Sequence, residues 1–243
     1  MRKLLTILFI LLIPSFSDLL SQDLGSAFEG KHFYISFLQN EIPDAEKVFL
    51  QIIMVSNYPA EVVVKIPGES DKLFSIPSNY IQKININSSL ELIENEMLVQ
   101  KSVEIISTVP ILVYAFSSQL NSSSCFTAVP VSQWGYEYVV MSYPNDQYTS
   151  SFDYWGRLDS ALMIPRKSEF VIMASENDTR VEITPRSITQ SLRQKDQPHF
   201  VTMQRGDCYL VQSYDFPIGM GDLTGSLVRS DKPVGVISGH VRT

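Results

Sequence analysis

The chain has little charge and few histidines or cysteines, and each shortage excludes a class of protein. Only 19% of the 243 residues are charged and 44% are hydrophobic, a balance typical of globular and not of disordered proteins. The net charge of −7 leaves no basic excess for binding nucleic acid or an anionic membrane. The sequence therefore predicts a globular protein that binds neither nucleic acid nor an anionic membrane.

The shortage of histidine and cysteine also argues against an enzyme. The three histidines, His32, His199 and His240, do not stand at a spacing known for zinc ligands. No nucleophile elbow of the Gly-x-Ser-x-Gly type and no calcium loop occurs. We predict no catalytic residue, no metal and no cofactor. One alternative is a glycosidase, since its two carboxylates can lie far apart in sequence. The carboxylates available for it are Asp146, Asp153, Asp159 and Glu169.

The N-terminus predicts secretion. Arg2 and Lys3 precede an apolar run over residues 4–13, which is shorter than the roughly 20 residues that cross a bilayer. We interpret residues 1–21 as a signal peptide; the alternative is an uncleaved N-terminal anchor. In an oxidising compartment Cys125 and Cys208 could form one disulfide, or they could be two buried thiols. Three sequons could be glycosylated in a eukaryotic host, and they begin at Asn87, Asn121 and Asn177.

The apolar pattern predicts strands nearly throughout. Residues 83–87 and 180–184 alternate strictly between polar and β-branched side chains, as half-buried antiparallel strands do. Turn-forming residues separate such runs at steady intervals, which favours β-sandwiches. The one helix candidate is residues 89–98, a segment that could equally be a loop.

Two parts of the sequence resemble each other, and this internal repeat predicts the architecture. Residues 53–57 match 172–176 at an offset of 119 (173 − 54), and residues 107–113 match 230–236 at an offset of 123 (230 − 107). We predict an all-β fold of two tandem β-sandwich-like modules, over residues 28–128 and 129–243, related by a repeat of about 120 residues. A propeller is disfavoured because its repeats are shorter.

An insertion in the second module is the candidate binding site. The module openings at Gly30 and Gly135 are offset by only 105 residues (135 − 30), so about 14 extra residues precede Met173 (119 − 105). They fall within residues 144–167, a segment rich in aromatic and acidic side chains, and loops on rigid scaffolds commonly carry function. The candidate binding residues are Tyr148, Asp153, Tyr154, Trp155 and Asp159.

Three ordered motifs resemble the N-terminal domain of IgG Fc-binding protein. They are residues 30–37 with Asn40, residues 128–138 with the Trp134-Gly135-Tyr136 core, and residues 222–240. The resemblance covers residues 28–243 and implies a secreted, non-enzymatic module of larger adhesive or mucus-associated proteins. It implies an extracellular partner, such as a glycoprotein, a mucin or a glycan. Because the family domain is longer, we also expect the sequence to be a fragment.

Two hypotheses follow for the insertion. A recognition module would expose Tyr154 and Trp155 beside carboxylates, as anchors for a sugar ring or a protein. A structural spacer would bury both rings, because the aromatics would then pack the loop onto the sandwich.

Overall fold

The computed structural model describes residues 27–40, 48–119, 122–148, 154–157, 164–215 and 220–241. The predicted signal peptide lies outside them and stays a prediction. Within the described residues every regular element is a strand or a 3-10 turn, so the all-β prediction is confirmed. None of these residues forms a helix with the length and apolar character needed to span a bilayer.

Module 1 is a β-sandwich whose two layers share one long strand. Its strands are β1 (Gly30–Ile35), β2 (Phe49–Ser56), β3 (Ala60–Lys65), β4 (Lys72–Ile76), β5 (Tyr80–Ile86), β7 (Val103–Gln119) and β8 (Ser122–Thr127). The first half of β7 pairs with β1 and β3, and its second half pairs with β2 and β8. We call the layer of β5, β2, β7 and β8 the β2 layer. A single apolar core separates it from the layer of β3 and β4.

Module 2 has the same arrangement of strands. Its sheet contains β9 (Gly135–Val139), β12 (Ser168–Ala174), β13 (Thr179–Thr184), β14 (His199–Met203), β15 (Cys208–Gln212) and β16 (Leu227–His240). The order β14-β13-β16-β12-β15 repeats the order β4-β3-β7-β2-β5, and β9 pairs with β16 as β1 pairs with β7. The predicted two-module, all-β architecture is therefore the observed one.

Strand pairing gives the correspondence between the modules residue by residue. Phe33 pairs with Ile105 and Tyr138 with Val228, at the predicted offsets of 105 (138 − 33) and 123 (228 − 105). Met54, however, pairs with Val113, and Ile172 pairs with Val236. The offset between β2 and β12 is thus 118 (172 − 54).

The predicted match of Met54 with Met173 is therefore out of register by one residue. The turn from β2 to β3 spans residues 57–59, whereas the turn from β12 to β13 spans residues 175–178 and holds one residue more. A shift of one residue moves a strand's side chains to the opposite face. Met54 accordingly lies in the core of module 1, whereas Met173 points away from the core of module 2.

The helix candidate at residues 89–98 is not a helix. A 3-10 turn spans Ser88–Leu90, and the Asn87 side chain caps it by accepting a hydrogen bond from the Ser89 amide at 2.9 Å. The short strand β6 (Leu98–Val99) follows and pairs with β15 of module 2. The apolar residues of this segment serve the contact between modules instead of an amphipathic helix.

A third apolar cluster joins the two modules. Tyr34 and Leu92 of module 1 pack there against the outer face of β12 and β15 of module 2, where Val171, Met173 and Leu210 lie. All residues of β12 and β15 are consequently buried on both faces of the sheet. The modules meet through a core of their own and not through a bare linker.

Candidate functional site

The predicted insertion is a β-hairpin that projects from module 2. Its arms are β10 (Asp146–Tyr148) and β11 (Ile164–Arg166), which pair antiparallel from Asp146–Arg166 to Tyr148–Ile164. The Arg166 guanidinium lies 3.5 Å from the Asp146 carboxylate at the base of the arms. The two ends of the insertion are thus held together by regular antiparallel pairing.

Asn145 fixes the base of the hairpin to module 2. Its backbone amide donates to the Met220 carbonyl at 2.9 Å, and its side-chain amide donates to the Tyr214 carbonyl at 2.7 Å. Its side-chain oxygen accepts from the Ser168 amide at 3.0 Å and from the Ser213 hydroxyl. Because Asn145 is 1% exposed, these bonds form in a dry site and hold the first arm rigidly.

The structure exposes both aromatic side chains that the sequence singled out. Tyr154 is 93% exposed and Trp155 is 76% exposed. Their rings meet edge to face, with centroids 5.2 Å apart and planes at 86°. Large apolar rings normally lose most of their accessible surface on folding, so this neighbouring pair offers an unusual amount of aromatic surface to solvent.

The other predicted binding residues are described in part or not at all. Tyr148 lies on β10 by its backbone, opposite Ile164. Asp153 and Asp159 fall outside the described residues, so their place beside the aromatic pair stays a prediction. Arg157 is exposed two positions after Trp155. The described part of the tip therefore consists of two rings and a cation.

The carboxylates considered for a glycosidase differ in their access to solvent. Asp146 is engaged with Arg166 at the base of the hairpin. Glu169 has no exposed surface, and it accepts a hydrogen bond from the Gln212 amide at 2.8 Å. Burial, with a smaller contribution from the charge of Glu91, raises the pKa of Glu169 to about 8. A carboxyl group in this position cannot contact a sugar, so Glu169 is not available to that chemistry.

The two cysteines are free thiols in the structure. Cys125 is exposed on β8, and Cys208 is buried at the contact between modules. Burial raises the pKa of the Cys208 thiol to about 11, which makes it unreactive. The structure therefore contains neither the disulfide nor two buried thiols. Of the three sequons, Asn87 and Asn177 lie at exposed turns and Asn121 falls outside the described residues; their glycosylation stays a prediction.

A polar network across the modules was not foreseen from the sequence. The Glu104 carboxylate accepts from the Tyr34 hydroxyl and the His32 ring, each at 2.8 Å, and it also contacts Lys65 and the Arg205 guanidinium. These bonds hold the pKa of Glu104 down at about 2 despite the opposing effect of its burial. The five residues are scattered from position 32 to position 205, and no local spacing could have indicated that they meet. We assign the network to holding the modules together.

A cleft of about 470 Å³ opens beside this contact. Its walls come from Phe126 and Trp134 on one side and from Gly235–Ser238 of β16 on the other. The lining is mostly apolar, which suits a small apolar group better than a charged ligand. Among the described residues, no group of three or more His, Cys, Asp or Glu side chains could hold a metal ion.

Fold and hairpin together define a class of protein: two β-sandwich modules joined by a shared core, with an aromatic hairpin displayed on the second. The family model described as IgGFc binding protein matches residues 124–243. The resemblance inferred from the sequence motifs is thereby confirmed for the half of the chain that carries the hairpin. Neither the search of curated proteins nor the search of solved structures returned a match.

Proposed function

We propose that this chain is an extracellular, non-enzymatic binding module that recognises a glycoprotein or glycan through the hairpin of residues 144–167. The observation that carries the proposal is the exposure of Tyr154 and Trp155 at 93% and 76% on a hairpin anchored by a buried Asn145. The matched family, described as IgGFc binding protein, supports a binding role and an extracellular setting.

The physical case for the hairpin rests on its rings. An exposed aromatic face can stack on the apolar face of a sugar, and Trp and Tyr are the residues most enriched at the energetic centres of protein interfaces. The edge-to-face contact between the two rings limits their rotation, so less conformational entropy is lost when a ligand binds. Such a pair serves either a sugar ring or an apolar protein pocket.

The structural spacer remains the second candidate function. The contact between the modules favours it, because a spacer needs modules that keep one orientation. The exposure of the aromatic pair does not favour it, since a spacer gains nothing from two solvent-facing rings and risks aggregation through them.

The test is a binding screen with a paired variant. The mature region is screened against glycan arrays, mucin and immunoglobulin, and each hit is titrated with the Tyr154→Ala, Trp155→Ala double variant. We expect affinity to fall at least tenfold, while the unfolding midpoint stays unchanged because neither ring is buried. The matched control is Tyr58→Ala, which removes a 66% exposed ring from module 1. A hit that the double variant binds at full affinity, or no hit at all, would overturn the proposal.

A further inference from the structure

The contact between the modules has two halves, and one half lies on the outer face of β1. Tyr34 on this strand is 3% exposed, and Leu38 just beyond it packs against the same apolar cluster. Ser36 between them is fully buried. These side chains point away from the core of module 1 and are covered by module 2. We call this set the β1 ridge.

Module 2 has the corresponding ridge, and it is uncovered. At the offset of 105 established by strand pairing, Tyr34 corresponds to Val139. The next two positions on the same face are Met141 and Tyr143. The three side chains are 67%, 80% and 61% exposed. This β9 ridge is a row of apolar side chains beside a strand that pairs on one edge with β16 in the described part of the chain.

The other half of the contact is the outer face of β12 and β15. Met173, Cys208 and Leu210 lie there, each 3% exposed or less. Strand pairing equates Gln82 with Tyr209, an offset of 127 (209 − 82), so Cys208 corresponds to Ile81.

Module 1 leaves the corresponding face open. On its β2 layer, Ile81 is 54% exposed and Phe49 is 44% exposed. The partly buried apolar residues Ile53, Val55, Leu112, Tyr114 and Phe116 share this face. We call it the β2 face; it also carries the polar pair Gln51 and Asn85 and the exposed Lys83.

We propose that a second copy of this chain docks head to tail, with the β9 ridge of one copy on the β2 face of the next. Each surface is the counterpart of one that already packs against its complement inside the chain. The internal contact thus indicates how the two surfaces would meet, with one difference: Lys83 stands on the β2 face where Leu210 stands in the internal contact, which makes the complex less apolar than that contact. Because the ridge and the face lie on different modules, the contact is heterologous and leaves both surfaces free at the ends, so a dimer can add further copies.

The association is weaker than the internal contact. Inside the chain, β6 extends the sheet of module 2, and the buried Glu96 side chain accepts from the Thr189 hydroxyl at 2.7 Å. Both belong to the connection between β5 and β7 of module 1, which reaches across to the sheet of module 2; we call its residues 91–102 the strap. A second copy therefore gains the ridge and the face but not this strap, and we expect reversible association that depends on concentration.

The experiment is sedimentation equilibrium over a wide range of protein concentration. The average mass of the wild-type chain should rise beyond that of a dimer. Met141→Asp places a charge on the β9 ridge and Ile81→Asp places one on the β2 face. Each variant alone should stay monomeric. Their equimolar mixture should form a dimer and stop there, because only one intact ridge and one intact face remain. Both side chains are exposed, so thermal unfolding should confirm that each variant is folded; Val139→Asp replaces Met141→Asp if it is not.

Three outcomes would overturn the proposal. One is a wild-type chain that stays monomeric at every concentration. Another is a mixture that stays monomeric although the wild type associates, since the two faces are then not complementary. The third is loss of association in the Tyr154→Ala, Trp155→Ala variant with retention in Met141→Asp, which would place the contact on the hairpin.

Discussion

The β2 layer of module 1 and the corresponding layer of module 2 are built alike but meet different surroundings. In β2 buried and half-exposed residues alternate, whereas every residue of β12 is buried. The order of the five central strands is the same, although β8 pairs only in module 1 and β6 extends only the sheet of module 2. The clearest difference in burial therefore lies in the outer face. Module 1 covers that face in module 2, and no described residue covers it fully in module 1. The same β-sandwich layer is thus open to solvent in module 1 and covered on both faces in module 2.

One polar pair shows how this difference in burial affects protonation. In module 1 the Gln51 amide donates to the Asn85 side chain at 2.8 Å in an exposed position. At the corresponding positions of module 2, the Gln212 amide donates to the Glu169 carboxyl group at the same distance, fully buried. The direction of the bond is reversed between the modules, because the residue on β12 accepts whereas its counterpart on β2 donates. Burial favours the neutral acid, so only the bond of module 2 is sensitive to pH.

The largest effect on stability is expected from exchanging the residues at one pair of corresponding positions. Leu210 is fully buried, and its counterpart at offset 127 is the exposed Lys83. Leu210→Lys should lower the free energy of unfolding by on the order of 3–5 kcal/mol, because it places an unpaired charge between the modules. The reverse change, Lys83→Leu, should stay within about 0.5 kcal/mol. Urea denaturation measures both, and equal effects would mean that the two faces do not differ as described.

The second prediction concerns the pH dependence that Glu169 introduces. Its pKa is about 8 in the folded chain, above the usual value of 4.5, so the unfolded chain loses this proton first as pH rises. The contribution of Glu169 to stability is therefore intact below about pH 4.5 and declines up to about pH 8, by at most about 1.4 kcal/mol per pH unit. Gln212, Glu91 and Lys167 are the groups around it; the hydrogen bond from Gln212 and the charge of Lys167 lower the pKa of Glu169, whereas the charge of Glu91 raises it.

Glu169→Gln tests this prediction, because the amide keeps the shape and cannot ionise. Urea denaturation between pH 5 and pH 8 should show a flatter stability profile for the variant than for the wild type. Gln51→Glu is the matched control: it places a carboxylate at the corresponding exposed position and should leave the slope unchanged. A wild-type profile that already lacks the extra slope would contradict the burial of Glu169 as an acid.

A smaller effect is expected at Gly235, whose counterpart in module 1 is Leu112. A Cβ at Gly235 would lie 2.6 Å from Cζ2 of Trp134, which packs over it. Gly235→Ala should cost about 1–3 kcal/mol through overpacking. In a Trp134→Leu background the same change should cost less, because the ring that the Cβ meets is gone. Equal costs in both backgrounds would show that Trp134 does not cause the constraint.

Local patterns predicted the elements better than they predicted the contacts between them. The alternation of polar and β-branched residues predicted β5 and β13, and the extra residues before Met173 located the hairpin. The register of β12 was wrong because Met54 and Met173 look alike in sequence although they face opposite sides. The strap at residues 91–102 was also missed, since apolar residues that bind a neighbouring module have the same composition as those that bind their own core. The Glu104 network left no local signal, because it joins residues from both modules.

The most direct test of the difference between the modules uses cysteine as a probe at one corresponding pair of positions. Cys208 is buried, and Ile81, its counterpart, is 54% exposed. In a Cys125→Ser background, Cys208 should react with a thiol reagent only as fast as the protein opens. With Cys208 also changed to Ser, the thiol introduced by Ile81→Cys should react at the rate of a free thiol. We predict rates that differ by orders of magnitude; similar rates at the two positions would contradict the claim that one face is closed and the other open.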